Sequence, residues 1–276
     1  MVTTISSLPA PITGLRRWAL LWVLLCLMVV QGIAQAAQPT SEWWSAIRRD
    51  DLSTVQGLLL RGVDPQALNS IGNPALTQAI REQSWRVYDV LRIAPGVNVD
   101  QANRLDETPL MYLCILGETQ RAVQLIAAGA QINRLGWTPL HYAASKARVD
   151  TARMLIKGGA IVNAPGPDGT TPLMMAALSG KTDMVRLLLD HGADATMFNA
   201  ERETAADWAL RGNNTILAEK LRVLSQDVAR KRQDAADGKT TPQTAAAPKP
   251  EAQAPDTSSF SRYFDLDRFE DPPAGQ

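Results

Sequence analysis

The string Thr108-Pro109-Leu110 returns as Thr138-Pro139-Leu140 and Thr171-Pro172-Leu173, and Thr204-Ala205-Ala206 continues the series. One column of small or apolar residues extends it both ways: Ala46, Ala79, Leu113, Ala143, Ala176 and Ala209, at separations of 33, 34, 30, 33 and 33. A chain written in such units builds one supersecondary element many times over. No unit of that size can bury its own apolar face, so residues 41–224 are expected to stack into a single elongated array.

Each unit reads as helix, turn, helix and extended loop. Threonine can accept a bond from a free backbone N–H at a helix start, and proline is tolerated in the first turn, where its missing N–H would lack a partner anyway. Ala143-Ala144 and Ala176-Ala177 keep the first helix thin, and Gly117 and Gly180 suit the break after it. The second helix carries paired apolar residues, Leu125-Ile126, Leu155-Ile156 and Leu188-Leu189, and ends near Gly129, Gly159 and Gly192. The motif T-P-L-H-x-A, present as Thr138 to Ala143 (TPLHYA), resembles the ankyrin repeat. The resemblance covers about two thirds of the chain, strongly in repeats three to five and more weakly in the first, second and sixth, as capping repeats require. It implies an all-α solenoid of about six helix-turn-helix repeats with short β-hairpin-like loops, and a protein-binding scaffold.

Departures from the period are informative. Pro95 adds a residue before Gly96, while the connector between Asn133 and Gly136 lacks three residues, which blunts the fourth loop and places Trp137 near the floor of a groove. Trp43 and Trp44 open the first repeat, where large aromatics can cover the exposed end of a stack.

Outside the array the composition changes. Arg16 and Arg17 precede an apolar run from Trp18 to Val30, followed by Ala34-Gln35-Ala36. That order predicts a signal peptide over residues 1–36, cleaved between Ala36 and Ala37, and so an exported, periplasmic protein. The run's 13 residues are short for a ~30 Å hydrocarbon core, leaving a membrane anchor as the alternative, along with secretion. Lys+Arg 28 balance Asp+Glu 28; removing Arg16 and Arg17 leaves 26 against 28, a net charge of −2, which argues against a nucleic-acid partner. Residues 225–259 read as a disordered Ala/Pro-rich linker. The segment 260–276 interleaves Phe260, Tyr263, Phe264 and Phe269 with acidic residues, either a docking motif for a partner or for the protein's own groove, or a loosely packed tail.

Little catalytic equipment remains. His141 and His191 fall on repeat positions, Cys114 occupies the column of Ala144 and Ala177, and no phosphate loop, nucleophile elbow or H-E-x-x-H pair occurs. The sequence predicts no enzyme, no cofactor and no metal. A surface is left: Ile115, Leu116, Ser145, Lys146 and Leu178 at the ends of first helices, with Arg104, Leu105, Arg134 and Trp137 from the loops, Arg81-Glu82 and Arg211 flanking. They read as an apolar groove rimmed by cations that binds another protein, or else as residues buried by neighbouring repeats. The functional expectation is an exported, non-enzymatic scaffold or adaptor, for which the ankyrin resemblance alone implies a role in periplasmic stress protection. The alternatives are an inhibitor or immunity protein that blocks a toxin or hydrolase, and a secreted effector.

Overall fold

The computed structural model describes residues 39–237; the predicted signal peptide and the aromatic segment lie outside them. Among the described residues twelve helices pair into six repeats: α1 Ser41–Arg48 and α2 Leu52–Leu60, α3 Ala75–Arg81 and α4 Trp85–Leu91, α5 Pro109–Leu116 and α6 Thr119–Ala127, α7 Pro139–Ser145 and α8 Val149–Lys157, α9 Pro172–Ser179 and α10 Thr182–Asp190, α11 Ala205–Arg211 and α12 Thr215–Ala236. Each first helix packs on its own second helix and on the first helix of the next repeat. The architecture is an all-α solenoid.

The first helices of repeats three to six start through one device. Residue three of the helix reaches back to the N–H of the capping threonine: Met111 Sδ to Thr108 at 3.3 Å, His141 Nδ1 to Thr138 at 3.1 Å, Met174 Sδ to Thr171 at 3.4 Å and Asp207 Oδ2 to Thr204 at 2.7 Å. Each bond satisfies a donor that a helix start otherwise leaves open.

The turn between helices has its own column of left-handed residues: Asp50, Gln83, Gly117, Ala147, Gly180 and Asn213, with φ between 51° and 81°. A second such column tips the loops, or fingers, at Gly72, Asp106, Gly136, Gly169 and Arg202. Below four of these tips the finger is closed by a backbone bond, as from Asn103 N to Glu107 O at 2.9 Å and Gly166 N to Thr170 O at 2.7 Å. Isolated bridges Leu68 to Pro74 and Phe198 to Thr204 are what appears of the expected hairpin character. The fourth finger, three residues short, is held differently. Trp137 lies against Gly166, where a Cβ would stand 2.7 Å from its ring, and meets His141 edge-on at 5.2 Å.

The core runs through all six repeats, from Trp43 to Leu221. Trp43 is fully buried at the first end and meets the half-buried Trp44 edge-on, as a cap should. At the other end residues 225–236, expected to belong to the linker, are helical, because α12 continues to Ala236; the rest of that segment lies outside the described residues. Residues 225–236 contain no proline or glycine, and Asp227 bridges to Arg230 and, at 2.7 Å, to Lys231 one turn on. Arg232 then ties the extension to Asp194 Oδ2 at 2.8 Å and Thr196 Oγ1 at 2.7 Å. Pairs of this spacing support a helix beyond the point where the repeat ceases to supply apolar contacts.

Candidate functional site

Most of the residues expected to form a binding surface sit at the ends of first helices or on the fingers. Leu116, Ser145, Lys146 and Leu178 are half-buried at the ends of α5, α7 and α9; Leu105 is half-buried and Arg104 exposed on the third finger. Two expectations are corrected. Ile115 is 3% exposed: Arg148 of the next repeat folds over the last turn of α5, its Nε donating to Ile115 O at 2.9 Å. Trp137 is 8% exposed and forms a pillar between repeats instead of an open groove floor. Arg134 is engaged too, its guanidinium donating to the Asp106 carbonyl and to the carboxylate at 2.7 Å. At the far end Arg211 pairs with Glu203 and stands over Trp208 at 5.3 Å.

Beneath this surface lies a buried polar ladder that the sequence reading missed. Glu107, 1% exposed, accepts from Tyr112 Oη at 2.6 Å, Asn103 Nδ2 at 2.9 Å and, across the repeat boundary, Tyr142 Oη at 3.0 Å. Asn103 also donates to Asn73 Oδ1 at 3.0 Å; Asn69 donates to Gln78 Oε1 at 2.8 Å, which Asn73 reaches at 3.3 Å. Three repeats share one network, and a buried polar group left without its partner is costly. The signal was present: Asn103 and Glu107 stand four apart, as do Asn199 and Glu203, which bond the same way at 3.1 Å.

His141 is fully buried. It accepts at Nδ1 from Thr138 N–H and faces Thr170 O through Nε2 at 3.0 Å, a pair of bonds that suits the neutral ring with its proton on Nε2. Burial lowers its pKa from 6.5 to about 4, against the opposing effect of the Thr170 and Ala164 carbonyls. The sulfur of Met111 or Met174 serves the same bond in other repeats, so the position asks for an acceptor and not for imidazole chemistry. Cys114 is buried, and burial pushes its thiol well above the usual range. Among the described residues no group of histidine, cysteine and carboxylate side chains is placed to hold a metal, and no helix is long and apolar enough to cross a membrane.

A binding solenoid is the class these features define. Family models for ankyrin repeats match residues 87–166 and 155–209, and the chain is an ankyrin-repeat protein. Comparison with curated proteins gives no match. Among solved structures, a chain of the complex between a predatory endopeptidase and an immunity protein from Bdellovibrio bacteriovorus is similar at 25% identity and a TM-score of 0.57, over 66% of this chain and 97% of that one.

Proposed function

We propose that this protein is exported and captures another protein on the side formed by its first helices and fingers. The observation that carries the reading is Leu116, Lys146 and Leu178, at the ends of three consecutive first helices and still partly open to solvent. A preformed array loses little entropy on association, so a modest apolar row with a cation in it can hold a partner usefully. Crosslinked capture from the exported compartment tests it: Leu116→Asp with Leu178→Asp should abolish the captured band while leaving helicity intact. Unchanged capture would sink the groove.

The likeness to a chain of an endopeptidase–immunity protein complex favours a second reading, in which the partner is a hydrolase and capture silences it. Co-expression distinguishes the two. An inhibitor protects cells from the captured hydrolase, and a passive scaffold does not. Export rests on residues 1–36, and stress protection on the ankyrin resemblance alone. N-terminal sequencing of protein from the periplasmic fraction should begin at Ala37, and deletion should sensitise cells to an oxidant.

A further inference from the structure

The second, third and fourth fingers end alike. Ser70-Ile71, Arg104-Leu105 and Arg134-Leu135 stand directly before the left-handed residues Gly72, Asp106 and Gly136. Ile71 is 61% and Leu135 94% exposed. The matching places on the fifth and sixth fingers hold Asp168 and Glu201, so the aliphatic row stops at the fourth repeat.

Two arginines brace the row into one ledge. The stem of Arg104 lies on Gly72, where a Cβ would stand 2.4 Å from its Cδ, and its guanidinium reaches Ser70 O at 3.4 Å. Arg134 reaches back to Asp106 at 2.7 Å. Apolar groups held out on a braced backbone gain by leaving water and lose little entropy in doing so. The charges nearby are mostly matched: Asp106 by Arg134, and Asp100 by the N–H of Gln131 at 3.0 Å. Arg104 has no ion-pair partner among the described residues. An occupant of this ledge therefore needs an apolar group at each end and an acid in the middle.

The chain carries such a segment. In an extended strand alternate residues share a side, which groups Tyr263, Asp265, Asp267 and Phe269: aromatics outside, acids inside. From Tyr263 to Phe269 such a strand spans about 20 Å, at roughly 3.3 Å per residue. Neighbouring helices lie about 8–10 Å apart, so the two steps from second to fourth finger cover about 16–20 Å. Residues 238–262 can extend to about 80 Å, enough to pass from the end of α12 along the whole array.

We propose that residues 260–271 lie along the tips of fingers two to four of their own chain, with Tyr263 and Phe269 on Ile71 and Leu135 and the two aspartates at Arg104. This rests on the finger side being the binding face. It makes the tail the resident occupant that a foreign protein displaces, at an effective concentration in the millimolar range.

A photoreactive benzoylphenylalanine at position 135, in the full chain expressed in cells, tests the contact. The expected product is an intrachain crosslink to the peptide containing Phe269. Its yield should fall about tenfold with Arg104→Glu, and recover when Asp265→Arg and Asp267→Arg are added, since like charges facing each other are unfavourable and opposite ones are not. Crosslinks only between two copies overturn the proposal in favour of a dimer. Crosslinks only to other proteins overturn it while leaving the binding face standing, and an absence of crosslinks from both 135 and 116 overturns both.

Discussion

The two halves of the array are joined by different means. Repeats two, three and four share side-chain-to-backbone bonds such as Arg148 to Ile115 O, and add to them side chains that meet side chains in the ladder, Asn73 with Asn103 and Glu107 with Tyr142. Between repeats four, five and six, side chains meet backbone: His141 with Thr170 O, Asn163 with Gly192 O at 2.8 Å and Asn214 with Leu178 O at 3.2 Å. A carbonyl is present whatever residue bears it, so these joins tolerate change on one side. The ladder depends on both partners at once, and each repeat in it inherits the identity of its neighbour.

The sharpest way to break this contrast is Glu107→Leu. It removes the buried acceptor shared by two tyrosine hydroxyls and an asparagine amide, and should cost about 3–5 kcal/mol. Native-state hydrogen exchange should show amides of repeats two to four losing protection first, because stacked repeats open locally. Equal loss across all six repeats would dissolve the distinction.

The next effect belongs to His141 and is read by pH. The folded pKa lies near 4, below the unfolded value of about 6.5, so the unfolded state takes up the proton first. Stability is fully present above about pH 6.5 and is lost as pH falls toward 4, by about 3 kcal/mol in all. Urea midpoints across that window measure it, and His141→Met, which keeps an acceptor of the kind used at Met111 and Met174, should flatten the slope.

A smaller cost is expected for Gly166→Ala. The new methyl meets the Trp137 ring at 2.7 Å, and the overpacking should cost about 1–3 kcal/mol in the same denaturation assay. The smallest effect has the opposite sign. Ala147 holds φ at 51° where repeats three and five use glycine, so Ala147→Gly should be neutral or stabilising by up to about 1 kcal/mol.

What was legible in the sequence follows the same division. The period, the Thr-Pro starts, the capping tryptophans and the structural roles of His141 and Cys114 depend on spacing within the chain, and spacing is written there. Ile115 is buried while the adjacent Leu116 is half-buried, and nothing in the spacing of the repeat separates the two. Trp137 was placed in the right loop but on the wrong side of burial, since Gly166 opposite makes room for its ring. The ladder escaped because asparagine and glutamate near a turn read as solvated until the neighbouring tyrosine is seen. Residues 225–236 read as linker because charge pairs, and not an apolar pattern, carry α12 that far.

That extension also sets a geometry for everything downstream. Twelve residues of helix past Leu224 amount to about 18 Å of stiff rod, stayed at its outer end by Arg232. A fluorophore or affinity handle attached after Asp237 would start about 18 Å along the helix from Leu224, at a bearing fixed by the rod and not by chance, which gives distance measurements on this protein a built-in origin.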